Sequence, residues 1–277
     1  MYILHQVYKK INRNIKNFSF LSHSLHKHYT DFHYSINIKR KEKKVGATMQ
    51  IERKFRHETK HEIRYIEYLT IRNRLFTVTG LDTHAGKDGT YKIRSLYFDN
   101  YRDKALHEKI DGVNEREKFR IRYYNKNIDC IHLEKKSKIN GLCNKISAVI
   151  TVRQVKELLK GNIEVLCNSK EALLIELYAK MKQERLTPKV IVDYIREPYV
   201  YAAGNVRITF DRNIRASFCI DPFLSPDCPT MPVSMANTVL MEVKYDDYMP
   251  DIVQMCIQEG ERQQEAFSKY AACRRYG

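Results

Sequence analysis

Residues 117–124 read EKFRIRYY and residues 130–138 read CIHLEKKSK, and both stretches alternate with a period of two. In the first, Arg120 and Arg122 share one face while Phe119, Ile121 and Tyr123 share the other. In the second, His132, Glu134, Lys136 and Lys138 stand opposite Ile131 and Leu133. Successive side chains of a strand point to opposite sides, so each stretch predicts a strand with one apolar and one charged face.

The same pattern recurs outward from this centre. In 206–211, Arg207 and Asp211 oppose Val206, Ile208 and Phe210. In 239–245, Glu242 and Lys244 oppose Val239, Met241, Val243 and Tyr245, and in 189–196 Tyr194 and Arg196 share a face. Near the start of the pattern, Arg56, Glu58, Lys60 and Glu62 face away from Phe55, Thr59 and Ile63. Residues 91–98 read as a further strand. Helical spacing is predicted over 64–76, with Ile66, Leu69 and Leu75 as anchors, over 152–160, over 169–185, and from Pro250 close to the end. Thr151 is placed to cap the second of these and Gly161 to close it. Residues 81–90 (LDTHAGKDGT) are rich in turn residues and predict a loop.

The 277 residues carry a formal charge of +16, which points to an anionic partner. Residues 1–48 hold ten Lys/Arg and two Asp/Glu, or +8, and five of the ten histidines, without a clear period. They predict a basic, disordered extension, or a start misassigned upstream of Met49, with the domain proper at 49–277. No continuous apolar core marks a secretion signal, and no run of about 18 apolar residues predicts a membrane-spanning helix. Seven cysteines, an odd number without a CxxC pair, argue against a disulfide framework and a thiolate zinc site. Reduced cysteines fit a cytoplasmic protein.

An ordinary antiparallel sheet with one wet face would also alternate. It would not place Glu two positions from Lys so often, as in Glu58/Lys60, Glu134/Lys136 and Glu242/Lys244. A sheet covered outside by helices and charged inside can close into a barrel with a polar lumen. Arginine forks and lysine ammoniums suit phosphate oxygens. Glutamates beside a polyphosphate ligand would be repelled unless a hard divalent cation such as Mg²⁺ or Mn²⁺ lay between.

The segments RHETKHEI, YKIRSLYFDN, REKFRIRYY, LEKKSKINGLCNK, PKVIVDYIREPYVY, VRITFD, LMEVKYD and FSKYAACR together resemble the VTC-type polyphosphate polymerase domain, a branch of the triphosphate tunnel (CYTH-like) group. The resemblance runs from about Arg56 to Tyr276. It implies an α+β fold: a closed, antiparallel, eight-stranded β tunnel with helices packed outside. It implies that Lys60, Arg120, Arg122, Lys136, Arg196, Arg207 and Lys269 grip phosphates, supported by Lys244 and Tyr194, with Ser268 adding a hydroxyl. It makes Glu242 the main ligand of Mn²⁺ or Mg²⁺, with Glu58 and Glu134 nearby. The implied reaction moves the ATP γ-phosphate onto a polyphosphate chain. Two positions depart from the family pattern: His61 stands where tyrosine is usual, and Ile146 where a basic residue is common.

Rival signals are weaker. His57-Glu58-Thr59-Lys60-His61 matches the H-E-x-x-H zinc pattern, but the segment lacks the apolar packing of a metalloprotease helix and no zinc is expected. Residues 80–87 (GLDTHAGK) miss the phosphate-binding-loop spacing by one residue. A hydrolase on the same scaffold, cleaving triphosphate or nucleoside triphosphates, is the alternative enzyme. A pure anion-binding module would gain nothing from lumenal glutamates, and no specific nucleic-acid partner is expected. Nothing in the sequence sets the oligomeric state.

Overall fold

The computed structural model describes residues 56–82, 85–139, 142–233, 237–258 and 266–275. Residues 1–48 and the turn-rich Thr83 and His84 lie outside them, so the expected N-terminal extension has no structural account here. The described residues form ten strands: β1 (His57–Arg64), β2 (Gly80–Leu81), β3 (Tyr91–Asp99), β4 (Arg116–Tyr124), β5 (Asn127–Ile139), β6 (Leu142–Val149), β7 (Thr187–Tyr201), β8 (Val206–Ser217), β9 (Met231–Pro232) and β10 (Thr238–Tyr245). Six α-helices among the described residues accompany them: α1 (Tyr65–Val78), α2 (Lys104–Ile110), α3 (Val152–Leu159), α4 (Ala172–Gln183), α5 (Asp251–Ile257) and α6 (Lys269–Arg274).

The strands form one antiparallel sheet in the order β1-β10-β8-β7-β3-β4-β5-β6, with β2 on β7 and β9 on β8. This corrects the expectation of a closed, eight-stranded tunnel. Ten strands are present, and no backbone ladder among the described residues joins β1 to β6. The sheet nevertheless curls far enough for side chains to span the gap: Lys136 Nζ on β5 donates to Glu58 Oε2 on β1 at 3.0 Å. The seam of the channel is therefore bridged by an ion pair rather than by peptide hydrogen bonds.

The apolar strand faces lie outward under helices. Phe119, Ile121, Ile131 and Leu133 pack with Val155 and Leu158 of α3 and with Leu174 and Leu177 of α4. Ile63, Ile208, Phe210, Met241 and Val243 pack with Ile71 and Leu75 of α1 and Val253 of α5. Helix α3 ends as the sequence predicts: Thr151 accepts the Gln154 N–H, and Gly161 adopts φ +83° just beyond the last turn. In α1 the phase differs from expectation. Ile66 is 63% exposed, and the buried stripe is Tyr68, Ile71 and Leu75. Tyr68 takes the inner place because its hydroxyl donates to the buried Glu197 at 2.5 Å, a partner hydrophobic spacing does not reveal.

Two features depart from helices outside and charges inside. Helix α6 lies on the charged side of the sheet, where Tyr270 packs on Tyr97 with ring centroids 5.3 Å apart. Its tether is Asp99, which accepts the Tyr270 hydroxyl at 2.6 Å and the Ala105 and Leu106 N–H groups of α2. On β8, the pairing with β7 slips between Asp193 and Ile195, and Asn213 adopts φ +52°. This extra residue shifts the alternation by one. Ile214 and Ala216 therefore face Tyr194 and Leu240 in an inner apolar cluster, while Arg215 turns away to Thr230.

Candidate active site

The inward faces of β1, β3, β4, β5, β7, β8 and β10, together with α6, bring most of the predicted site residues together. They fall into linked clusters, each with its own carboxylate. On β4, Arg120 Nε donates to Glu134 Oε2 at 2.7 Å, and its Nη1 donates to the Tyr97 hydroxyl at 3.1 Å. Arg122 donates through Nε to Ser95 Oγ at 2.9 Å and through Nη2 to the Tyr194 hydroxyl at 3.0 Å. Lys145 on β6 completes the set around Glu134 at 3.2 Å. Burial alone would raise the Glu134 carboxyl, but Arg120, Arg122 and Lys145 outweigh it and hold the group well below the usual carboxylate range.

The second cluster is centred on Asp211 and Glu242. Arg196 forks onto Asp211 at 2.6 and 2.7 Å. Lys269 Nζ lies 2.5 Å from Asp211 and 2.7 Å from Glu242. Asp211 is fully buried, and Lys269 and Arg196 hold both carboxylates ionised against that burial. Tyr194 is the hub between clusters. Lys269 Nζ stands 4.9 Å and the Arg196 guanidinium 5.4 Å from its ring centroid, a favourable cation–π arrangement.

Glu58 anchors the third cluster, with Lys60 at 3.1 Å and Lys136 at 3.0 Å. Lys244 stands between clusters, 3.8 Å from Glu58 and 3.9 Å from Glu242. Burial pushes the Lys244 ammonium down, Glu242 and Glu58 resist, and the balance leaves it at about 8. These groups open into a cavity of about 620 Å³, lined also by Arg116, Lys118, Lys138, Lys109, Phe267 and Ser268.

Two predicted residues have other engagements. Arg207 faces Lys244 across the β8–β10 ladder, but its guanidinium is paired with Asp82 at 2.7 Å and donates to the Tyr91 hydroxyl at 3.0 Å. The Ser268 hydroxyl caps α6, accepting the Ala271 N–H at 3.4 Å. Of the two departures, His61 is buried and Ile146 is half-exposed on β6. The H-E-x-x-H match lies in β1, where residues four apart are separated by roughly 13 Å, too far to share one ion.

Asp211, Tyr97, Ser95, Lys118 and Lys145 belong to the channel wall although sequence reasoning did not single them out. Asp211 shared a face with Arg207 and was visible in the alternation. Lys145 sits on β6, a strand with no predicted counterpart.

The residues described include no preformed cluster of three or more His, Cys, Asp or Glu side chains able to hold a metal ion. The donor set still fits a hard cation shared with phosphate. Glu58 and Glu242 are both ionised and both flank Lys244, and Mg²⁺ commonly takes only one or two carboxylates, with phosphate oxygens supplying the rest.

The VTC domain family matches residues 55–276. The chain belongs to the VTC domain family. The curled antiparallel sheet and its cationic inner face are thus those of a VTC domain. Among solved structures, an adenylate cyclase-like protein of Bacillus halodurans is 11% identical, with a TM-score of 0.43 over 74% of this chain and 87% of that one. A protein of Pyrococcus horikoshii is 12% identical, with a TM-score of 0.40 over 80% of this chain and 100% of that one. No curated protein matches the chain significantly.

Proposed function

We infer that this VTC domain is a metal-dependent phosphotransferase that moves the γ-phosphate of ATP onto a polyphosphate chain. The observation that carries the reading is convergence. Lys60, Arg120, Arg122, Lys136, Arg196, Lys244 and Lys269 come from six separate elements and meet on one enclosed face with three ionised glutamates.

Phosphoryl transfer needs alignment and charge stabilisation more than covalent chemistry. Arg122 is set for this by Ser95 and Tyr194, which fix its guanidinium while leaving its charge facing the lumen. Arg120 and Lys136 position the neighbouring phosphates, and Arg196 and Lys269 stabilise charge that develops on the transferred group. A terminal phosphate oxygen of the chain attacks the γ-phosphorus, a new P–O–P bond forms, and ADP departs with the electron pair of the broken bond. The attacking oxygen is already ionised at neutral pH, so no protein base is required. Glu242 and Glu58 would hold Mg²⁺ or Mn²⁺, with Glu134 as a further carboxylate. The ion would neutralise phosphate charge as the bond is exchanged. None of the helices described is long and apolar enough to cross a membrane, and all seven cysteines are unpaired, which supports a reducing, cytoplasmic setting.

The test is incubation of purified protein with ATP and Mn²⁺ or Mg²⁺, followed by separation of products. ADP with long phosphate chains is the expected outcome, lost in Arg122→Ala. Free orthophosphate without chains would assign the domain to hydrolysis, and unchanged ATP would refute both chemistries.

A further inference from the structure

The channel wall carries its charge in two ways. Deep in the lumen, carboxylates interleave with the cations, as described for Glu134, Asp211 and Glu242. At the mouth Glu58, Glu117, Asp246 and Asp247 also line the cavity, but none of them pairs with Lys118. Lys118 on β4 stands directly opposite Lys136 on β5, and Lys136 opposite Lys145 on β6. Lys136 and Lys145 each reach a glutamate, at 3.0 and 3.2 Å. Lys118 reaches none: among the described residues it has no ion pair, and its Nζ lies 5.7 Å over the Tyr97 ring. Like charges directly opposite in a ladder are destabilising.

The groups around it are overwhelmingly cationic. Its own strand adds Arg116 and Arg120, β5 adds Lys136 and Lys138, α2 adds Lys109, and β1 adds Lys60 with Glu58 as the opposing charge. Tyr97 of β3 and Tyr270 of α6 complete the surroundings. Glu117, one residue away, also lines the cavity but is paired with Lys135 and Lys180. Burial first, then Lys136, Lys60 and Arg120, push the Lys118 ammonium well below its ordinary value. Crowded cations disfavour one another's charge, and an adjacent anion relieves that cost.

We propose that Lys118 is a further anion-binding residue of the channel, contacting the phosphate chain at the mouth. The proposal rests on the anion-binding reading of the lumen and adds to it a residue. Lys136 then shares the anion with Lys118 across the β4–β5 ladder, and the repulsion between them becomes joint attraction.

Calorimetric titration with tripolyphosphate at pH 8 measures affinity directly. Lys118→Arg keeps a permanent charge, so it is expected to bind with an affinity similar to that of the parent. Lys118→Met keeps the stem on Tyr97 and loses the charge, so affinity should fall roughly 10- to 100-fold, the range of a charge-assisted hydrogen bond. Unchanged affinity in Lys118→Met, or a loss in Lys118→Arg as large as that in Lys118→Met, overturns the proposal while leaving the channel reading in place. Failure of the parent protein to bind tripolyphosphate at all overturns the channel reading, and this proposal with it.

Discussion

Replacing Asp211 by asparagine keeps the shape of the side chain and deletes one negative charge from the most deeply buried part of the channel. In the parent, Arg196 and Lys269 face Asp211 and Glu242, two cations against two carboxylates, with contacts of 2.5–2.7 Å to Asp211. In the variant the same two cations share Glu242 alone. Removing one partner of a buried pair costs about 3–5 kcal/mol because the remaining charge stays desolvated. Glu242 still compensates in part, so the lower end, about 3 kcal/mol, is expected. For a domain of this size that lowers the melting temperature by roughly 6–12 °C. The same reasoning predicts rescue. A phosphate anion supplies the missing charge, so the variant should gain more from tripolyphosphate than the parent, whose gain at a hundredfold excess over Kd is about 2.7 kcal/mol. Equilibrium urea unfolding followed by circular dichroism, at constant ionic strength with and without tripolyphosphate, measures both quantities. A loss below about 1 kcal/mol, or an equal ligand effect in the two proteins, would show that the buried cations do not depend on Asp211 and would refute the charge balance described here.

Arg122→Ala should reduce turnover by about 100-fold or more, the usual cost of losing one preorganised charge donor, and Arg122→Lys should restore little because a lysine cannot reproduce the fork held by Ser95 and Tyr194; steady-state kinetics on folded protein decides. Lys244, with its ammonium at about 8, carries its charge below that pH and loses it above, so KM for the phosphate substrate should rise as pH passes through about 8, and Lys244→Arg should flatten the profile. Tyr270→Phe leaves Asp99 holding α2 but releases α6, at a cost of about 1–3 kcal/mol. Faster hydrogen exchange at Ala271 and Ala272, with a fall in turnover through misplaced Lys269, is the expected signature, and unchanged exchange would show that the tether is unnecessary.

Much of the wall was legible because strand alternation is a local property. Arg120, Arg122, Glu134, Lys136, Glu242 and Lys244 each reveal their face through immediate neighbours, and the observed registers keep them on that face. The pattern failed where alternation itself breaks. The bulge at Asn213 re-aims the second half of β8, and the sequence reading of that strand stopped at Asp211. Alternation also does not show how like charges coexist: Arg120 and Arg196 are each bonded to a buried carboxylate, so their removal leaves that carboxylate buried without its partner.

The sequence by itself determined which side chains face inward, that their charge calls for an anion, and, through the resemblance carried by its motifs, the family. Hydrophobic periodicity and charge are written residue by residue, which is why they survive without a structure. Tertiary structure alone decided that the sheet of described strands curls without closing its backbone ladder, that α6 enters the lumen to place Lys269 beside Asp211, that Asp82 occupies Arg207, and that Lys118 forms no ion pair among the described residues. Each of these is a meeting between segments far apart in the chain. Whether a cation finds a carboxylate, water or another cation depends on distances that no local pattern encodes.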